Sequence, residues 1–306
     1  MGLLAKISTG ADPRSARLAG IVLMLAAMLL FSFGDALGKV VVSRYSVGQL
    51  LLLRAAAGLV VLAPLIWHQR AAFRTLDRPW LQLARIVISS LEVAAFFLAA
   101  AYLPLADVIT YYLASALFVS LGSALFLREQ VDRARWIAIL VGFGGVLIAL
   151  QPSAQSVSWP ALIALAASML FAALLLLTRS LRSTPDMVLA SQQFLGTFAL
   201  GAILAPSQWI TPSLPDLSLF AIAGVVSVAA LLCVNRSLRL APASVVVPYQ
   251  YSMIFWAVLF GYLVFGDVPS AATLVGVAII IGAGLYIFMR EQKDAAARAA
   301  APANVS

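Results

Sequence analysis

Long apolar stretches recur along the whole chain and are separated by short polar segments. A helix needs roughly 20 mostly apolar residues to cross a bilayer. Ten stretches of about this length predict ten spans, at residues 18–42, 46–67, 80–102, 104–127, 134–151, 159–178, 185–205, 217–238, 243–266 and 269–289. The pattern therefore predicts an all-α integral membrane protein with ten transmembrane helices.

One long segment of the sequence occurs twice. Residues 103–129, LPLADVITYYLASALFVSLGSALFLRE, match residues 240–267, LAPASVVVPYQYSMIFWAVLFGYLVFGD, about 137 positions later. The similarity extends into the flanking spans, so each copy contains five of them. Because five is odd, the second copy enters the membrane from the opposite side, which predicts two inverted five-helix repeats. The expected divisions are an N-terminal segment, the first repeat, a linker, the second repeat and a polar tail that ends disordered, at 1–17, 18–151, 152–158, 159–290 and 291–306.

The composition and the placement of charges support this topology. The 306 residues are 63% hydrophobic and only 10% charged, which is too apolar for a water-soluble domain. If both termini are cytoplasmic, sixteen of the twenty Lys and Arg residues fall in cytoplasmic segments, as membrane proteins favour. The net charge of +8 then reflects topology and does not indicate nucleic acid as a partner. A single cysteine, Cys233, and a single histidine, His68, argue against a disulfide, a metal site or a bound cofactor.

Ionisable side chains inside the predicted spans are the first candidates for function. Asp35 and Lys39 are four residues apart, so they share a helix face and can pair. Arg54 and Glu92 lie at a similar depth in the second and third spans, and the four charges sum to zero. A charge at the bilayer centre costs about 2.5–3.5 kcal/mol, so such residues usually face protein or water. Both a structural polar network and a role in substrate or proton coupling fit this pattern. The residue equivalent to Glu92 in the second repeat is Ala229, so the duplication does not account for the presence of the Glu92 carboxylate.

A second group of candidates combines tyrosine rings with amides. Tyr112 in the fourth span and Tyr249 in the ninth are equivalent by the repeat and should approach the membrane midplane from opposite sides. We expect a polar hollow bordered by Glu92, Tyr112 and Tyr249, although core packing and interhelical hydrogen bonds are alternatives. The predicted substrate-binding residues are Glu92, Tyr111, Tyr112, Gln192, Gln193, Asn235, Tyr249, Gln250 and Tyr251, and the predicted network or coupling residues are Asp35, Lys39 and Arg54.

Several residues predict local helix geometry. Pro248 should kink the ninth span, since proline removes a backbone hydrogen bond. Asp107, near the start of the fourth span, should cap that helix. Glycines in the fifth and tenth spans should allow close packing or form the face of a homodimer.

Several motifs resemble one family of transporters. The run Leu-Ala-Pro-Ala-Ser-Val at 240–245, the Gly266–Asp267 pair and the glycine-spaced last span of each half resemble the EamA-type, ten-helix branch of the drug/metabolite transporter superfamily. The resemblance covers roughly residues 18–290. It implies a secondary transporter of the bacterial inner membrane that moves small organic metabolites by alternating access through a cavity built from both halves.

Within that family, riboflavin transporters of proteobacteria are the most similar group. The similarity lies in FSFGDALGKVVVSRYSVGQLLLLR at 31–54, TRSLRSTPD at 178–186 and CVNRSLRLA at 233–241, and it implies riboflavin uptake. Asp35 and Lys39 are also similar to residues of related S-adenosylmethionine carriers. A flavin, flat and edged by amide-like groups, suits a site of tyrosines and glutamines.

Other functions remain open at this point. An exporter of amino acids or related metabolites is the alternative of the same class, because a nearly symmetric inverted repeat does not reveal the direction of transport. An intramembrane enzyme would need a convergent nucleophile, base or metal site, which one His and one Cys hardly provide. A sensor would normally carry a soluble output domain, and no sizeable soluble segment is seen in this sequence.

Overall fold

The computed structural model describes residues 13–68, 78–126, 133–150, 158–181, 184–240 and 247–300, and no strand is found in these ranges. The helices are α1 Pro13–Val42, α2 Val47–His68, α3 Pro79–Ala100, α4 Leu105–Leu113, α5 Ser115–Phe126, α6 Arg133–Leu150, α7 Trp159–Ser180, α8 Asp186–Leu204, α9 Leu214–Leu240, α10 Ser252–Phe260 and α11 Ala271–Ala300. Short helical turns at Ala205–Gln208, Val247–Tyr251 and Gly261–Phe265 complete the described part.

Six of these helices are long and apolar enough to cross a membrane. They are Leu18–Val42, Val47–His68, Pro79–Ala100, Trp159–Thr178, Met187–Gln208 and Leu214–Val234. Shorter apolar helices lie at Leu105–Val119, Trp136–Ala149, Tyr249–Phe265 and Ala271–Tyr286. Large apolar side chains point away from the protein, among them Val60 at 74% exposure and Trp80 at 80%. A surface of this kind is suited to lipid and not to water.

Prolines and one glycine mark several helix ends. Pro104 and Pro185 immediately precede α4 and α8, and Pro79 is the first residue of α3. A proline is tolerated there because the first helical N–H groups have no intrahelical partner. Gly266 ends the turn after α10 with φ at 71°, a left-handed conformation that residues with a Cβ rarely adopt.

A helix boundary falls at equivalent places in the fourth and ninth predicted spans. In the fourth, α4 ends at Leu113 and α5 begins at Ser115. In the ninth, the 3₁₀ turn Val247–Tyr251 passes into α10 at Ser252, which is 137 residues after Ser115 and therefore its repeat mate. Pro248 lies within that turn, before α10 begins. Residues 241–246 lie outside the described residues, so the predicted kink of the ninth span stays a prediction.

The α3 and α7 helices run in opposite directions. Trp159 at the start of α7 packs against Tyr102, just beyond the end of α3, with ring centroids 4.6 Å apart. At the other end, Arg85 near the start of α3 donates from Nε to Thr178 Oγ1 near the end of α7, at 2.9 Å. The two helices are therefore antiparallel and join the first repeat to the second.

The α1 helix runs parallel to α3 and so antiparallel to α7. Gly38 and Phe97, each close to the C-terminal end of its helix, lie against one another. The α9 helix is antiparallel to α1, because Ser237 near its end donates to the carbonyl of Gly20 near the start of α1, at 2.7 Å. The α1 and α7 helices are the matching first helices of the two repeats. These matching helices therefore point in opposite directions.

The α6 and α11 helices pack closely through glycines. A Cβ placed on Gly276 would lie 2.6 Å from the carbonyl oxygen of Gly145 and 2.7 Å from the Cβ of Ala149. A Cβ on Gly144 or Gly282 would meet nothing within 4 Å. The close approach therefore depends on particular glycines and not on every glycine in these helices.

The α11 helix does not end at Arg290, where the second repeat is predicted to end, and the division itself stays a prediction. The α11 helix continues to Ala300, through residues that the polar composition assigned to the tail. Alanine is the strongest helix former, and this stretch is rich in it, so the helix extends beyond its apolar part.

Candidate substrate and coupling site

Five polar side chains meet where the two repeats face each other. Four come from the first repeat and one from α9 of the second. We call them the central cluster; its members are Asp35 of α1, Arg54 of α2, Glu92 of α3, Tyr112 of α4 and Ser227 of α9. Asp35, Glu92 and Ser227 are buried, and Arg54 and Tyr112 are partly buried.

Hydrogen bonds link the cluster in two groups. The Tyr112 hydroxyl donates to Glu92 Oε1. The Arg54 guanidinium donates to Ser227 Oγ, from Nε at 3.1 Å and from Nη2 at 2.6 Å, and so crosses from the first repeat to the second. The guanidinium also lies 5.0 Å from the centroid of the Phe97 ring, where a cation–π attraction contributes.

Arg54 is the positive charge that acts on both carboxyls. It interacts electrostatically with Asp35 and with Glu92, and the two carboxyls interact with each other. Depth counting along the sequence predicted that these three side chains share one level. The structure brings them together, although their role in binding or coupling stays a prediction.

Lys39 does not belong to the central cluster. The Lys39 Nζ lies 2.9 Å from Oδ2 of Asp267, shortly after the turn Gly261–Phe265 that follows α10. The same Nζ lies 4.5 Å from the centroid of the Phe265 ring. The predicted pairing of Lys39 with Asp35 is therefore wrong. The reason is tertiary, because α1 ends beside a segment of the second repeat that brings a carboxylate to Lys39. The central cluster is left with two carboxyls and one guanidinium.

A second polar contact lies near the Lys39–Asp267 pair. Asp107 accepts a hydrogen bond from Thr273 Oγ1 at 2.8 Å, which joins α4 to α11. No side-chain cap is formed at the start of α4, so the predicted capping hydrogen bond of Asp107 is wrong, but Asp107 lies in the first turn of α4, where a negative charge favours the helix dipole. Within the described residues, no three His, Cys, Asp or Glu side chains gather as a metal site would require.

The amide candidates occupy different surroundings. Gln192 Nε2 donates to Gln82 Oε1 at 2.6 Å, which is a buried hydrogen bond between α8 and α3. The side-chain oxygen Oε1 of Gln192 is buried and has no hydrogen-bond partner among the described residues. Gln193 faces a cavity of about 70 Å³ between the repeats. The cavity is also lined by Phe31, Arg54, Ala55, Val93, Phe194, Thr197, Ser227 and Leu231. The side chain of Asn235 lies outside the described residues.

Three of the tyrosine candidates lie away from this cavity. Tyr111 is buried, and its hydroxyl donates to the carbonyl of Ala149 at 3.4 Å, so it packs α4 against α6. The Tyr251 hydroxyl abuts Gly284 of α11. Tyr249 is 36% exposed. These contacts of Tyr111 and Tyr251 fit the alternative of core packing, and the predicted role of the three tyrosines in substrate binding stays a prediction.

The expected hollow therefore differs from the cavity just described. Its polar lining comes from Arg54, Gln193, Thr197 and Ser227, and not from Glu92, Tyr112 and Tyr249. Gln250, partly buried in the turn before α10, is also not among its lining residues. The cavity borders the central cluster, because Arg54 and Ser227 belong to both.

Arg85 is a buried cation that sequence reasoning did not select. It is 6% exposed, and besides Thr178 it donates from Nη1 to the carbonyl of Leu189 at 3.0 Å. It therefore ties α3 to both α7 and α8 of the second repeat. The signal was present in the sequence, because Arg85 lies inside the third apolar stretch. It lies near the start of that stretch, however, where an arginine usually extends its charged group to the membrane–water interface.

The apolar helices and the polar seam define a multi-pass membrane protein. The model of the EamA-like transporter family matches residues 18–151 and 158–289, one match for each repeat. The chain therefore belongs to the EamA-like transporter family, within the drug/metabolite transporter superfamily.

Relatives with assigned functions are transporters of small metabolites. The chain is 32% identical to a riboflavin transporter of Rhizobium johnstonii over 73% of this chain and 74% of the relative. It is 30% identical to a riboflavin transporter of Vibrio cholerae over 90% and 95% of the two chains. An S-adenosylmethionine uptake transporter of Rickettsia bellii is 24% identical over 90% and 94%. A solved crystal structure at 18% identity superposes with a TM-score of 0.64 over 90% of this chain and 98% of the other, which supports the fold.

Proposed function

We propose that this protein takes up riboflavin across the inner membrane by alternating access. The observation that carries the proposal is the similarity to two riboflavin transporters, at 30% and 32% identity over most of the chain. The structure adds a polar cluster at the seam between the repeats, where a transporter built from inverted repeats binds its substrate.

The proposed topology has ten spans, two inverted repeats and both termini in the cytoplasm. Six long and four shorter apolar helices support the number of spans. The opposite directions of α1 and α7 support the inversion, because these helices begin the two repeats. The excess of Lys and Arg in alternate loops supports the cytoplasmic termini.

The contacts between the repeats are the kind that a rocking motion can exchange. Arg54–Ser227, Gln82–Gln192 and Arg85–Thr178 join first-repeat helices to second-repeat helices by hydrogen bonds. Each donor and acceptor can be satisfied by water or solute when the seam opens. Ligand pockets usually measure about 300–1,000 Å³. The cavity of about 70 Å³ beside Arg54 must therefore widen to admit a flavin.

The side chains at the seam suit the chemistry of a flavin. The ring of Tyr112 packs in a tilted arrangement against Phe171, with centroids 4.6 Å apart, in a group of aromatic rings that a flat solute could join. Gln193 and Thr197 supply amide and hydroxyl groups on the opposite repeat. An isoalloxazine ring has apolar faces and an edge of carbonyl and N–H groups, and the ribityl chain carries hydroxyls, so each part finds a matching group.

S-adenosylmethionine is a second candidate, and one observation favours it. The central cluster contains two carboxyls and one guanidinium, so a cationic solute would restore its charge balance. The sulfonium group of S-adenosylmethionine carries such a charge. The relative of Rickettsia bellii transports this compound.

Thermal unfolding of the purified protein in detergent separates these substrates. A ligand that binds only the folded protein raises its stability by about 2.7 kcal/mol at one hundred times its dissociation constant. We expect riboflavin to raise the unfolding temperature, and S-adenosylmethionine and a panel of amino acids to leave it unchanged. Stabilisation by S-adenosylmethionine or by amino acids without a response to riboflavin would contradict the proposal.

Transport in cells then tests the direction. A bacterial strain unable to make riboflavin should grow at a lower external riboflavin concentration when it expresses this protein. The Glu92→Gln variant, expressed to the same level, is the matched comparison. Faster loss of riboflavin from preloaded cells, without faster entry, would support an exporter instead.

A further inference from the structure

The starting observation is an imbalance of charge in the central cluster. Asp35 and Glu92 are 7% and 5% exposed, and Arg54 is the only cation that acts on both within the described residues. Lys39, which would have balanced them, is held 2.9 Å from Asp267. A buried charge without compensation destabilises a protein strongly, so the seam requires one more positive charge when Lys39 is engaged in this way.

The two carboxyls differ in their hydrogen bonds. Glu92 accepts from the Tyr112 hydroxyl, which stabilises its charged form. Asp35 accepts no hydrogen bond in the described part of the chain, although it is more than nine-tenths buried. The Arg54 guanidinium makes its hydrogen bonds to Ser227 and not to Asp35. Asp35 is therefore the carboxyl that gains most from binding a proton.

Within the described residues, Arg54 is the one cation that acts electrostatically on Asp35. Arg54 faces it from α2, Glu92 from α3, and Tyr112 from α4 lies close enough to interact with it. Next to Asp35 along α1, Gly34 lies against Ser227 of α9. In the described residues of these elements, the remaining neighbours carry no positive charge.

We propose that Asp35 holds an exchangeable proton and that transport is coupled to the movement of this proton. The inference rests on the proposed transport function and adds a binding site for the coupling ion. The step is a simple protonation, in which an O–H bond forms on a carboxylate oxygen of Asp35 and the proton comes from water. The cavity beside Arg54 has room for about two water molecules, and its polar lining can hydrate the path to the cluster.

The Lys39–Asp267 pair provides a way to control the protonation of Asp35. Lys39 lies one helical turn from Asp35 on the same face of α1, so it can reach either carboxylate. The pair joins the two repeats, and its side chains are 14% and 27% exposed. When Asp267 no longer holds Lys39, the ammonium group can neutralise Asp35 in place of the proton.

Infrared spectroscopy of the purified protein tests the proton site without any substrate. The C=O stretch of a buried carboxylic acid should be present in the wild type at neutral pH and absent in Asp35→Asn. It should persist in Glu92→Gln and in the matched control Asp216→Asn, a carboxylate that contacts Tyr45 and Arg44 outside the cluster. Asp267→Asn should weaken the band, because it frees Lys39. Absence of the band in the wild type, or its loss in Glu92→Gln and not in Asp35→Asn, would overturn the proposal.

Proteoliposomes test the coupling. If one proton accompanies each riboflavin, a gradient of one pH unit can drive about tenfold accumulation, since both correspond to about 1.4 kcal/mol. We expect this ratio for the wild type and Asp216→Asn, and a ratio near one for Asp35→Asn. Equal accumulation with and without the gradient would overturn the coupling. An absence of riboflavin uptake in the wild type would instead contradict the proposed substrate, and the infrared result would still decide the proton site.

Discussion

The central cluster and the contact between α6 and α11 both join the first repeat to the second, with opposite chemistry. The cluster uses charged and hydroxyl groups around Arg54, each of which can exchange one partner for another. The α6–α11 contact uses backbone against backbone at Gly145 and Gly276, where no polar side chain takes part. Polar groups tolerate a change of partner, whereas close packing is lost as soon as the surfaces separate.

This difference assigns the two regions different parts in a transport cycle. A seam that opens needs groups that water or solute can satisfy, and the cluster has them. A joint about which the repeats move needs a contact that stays closed, and the glycine contact fits that requirement. We therefore expect substitutions in the cluster to affect transport, and substitutions at the glycine contact to affect stability.

The largest expected effect is that of Arg54→Gln. The change removes the cation that acts electrostatically on two buried carboxyls, and leaving a buried charge without compensation costs about 3–5 kcal/mol. The free energy of unfolding in detergent should fall by an amount of this order. Arg44→Gln is the matched control, because the Arg44 side chain is 66% exposed and solvent screens its ion pair with Asp216, so the change should have little effect on stability. Equal stability of both variants would show that the cluster does not hold the helices together.

The next effect is that of Gly276→Ala. The added Cβ would lie 2.6 Å from the Gly145 carbonyl oxygen, and overpacking of this kind costs about 1–3 kcal/mol. Gly282→Ala is the matched control in the same helix, where the Cβ meets nothing within 4 Å. It should raise stability by about 0.5–1 kcal/mol, since glycine is unfavourable within a helix. If both variants change the unfolding temperature in the same direction, the close contact at Gly276 has no special role in joining the two repeats.

Glu92→Gln should affect transport with little effect on folding. The variant keeps the shape of the side chain and a hydrogen bond to Tyr112, and it loses the charge that faces Arg54. We expect riboflavin uptake to fall about tenfold or more, equivalent to at least about 1.4 kcal/mol, at unchanged expression. Wild-type uptake by this variant would remove Glu92 from the site.

The smallest expected effect separates the two adjacent tyrosines. Tyr111→Phe loses a long hydrogen bond to Ala149, and such bonds between membrane helices contribute about 0.6 kcal/mol. Its uptake should stay within about twofold of the wild type. Tyr112→Phe loses the donor to Glu92 and should reduce uptake more. The opposite order in a side-by-side uptake assay would exchange the roles assigned to the two residues.

The sequence predicted the helices well and the tertiary partners poorly. Nearly every predicted span has an apolar helix that ends within a few residues of it, because the length of apolar runs is a local property. The helix boundary at Ala114 was not predicted, since this position carries no local signal that an uninterrupted helix would lack, whereas Pro248 marks the turn Val247–Tyr251. The helical continuation beyond Arg290 was missed because composition, and not helix propensity, set that boundary.

In the candidate site, counting residues along the spans predicted that Asp35, Arg54 and Glu92 lie at a similar depth. The structure brings these three side chains close enough to interact electrostatically. The partner of Lys39 could not be predicted, since Asp267 is 228 residues away and reaches it only through the packing of the two repeats. Local spacing favoured Asp35 instead. The charge imbalance of the cluster, on which the proton proposal rests, follows from that one long-range contact.

Labelling of a cysteine in the seam tests most directly whether the solute passes between the repeats. Thr197 lines the cavity between them, so Thr197→Cys in a Cys233→Ser background places one thiol there. A membrane-impermeant thiol reagent should reach it from outside in cells and from inside in inverted vesicles, and riboflavin should slow both reactions. Ile139→Cys, buried in α6, should stay unlabelled. If the Thr197→Cys protein transports riboflavin but its thiol is inaccessible from both sides, or if riboflavin leaves the labelling unchanged, the seam is not the path.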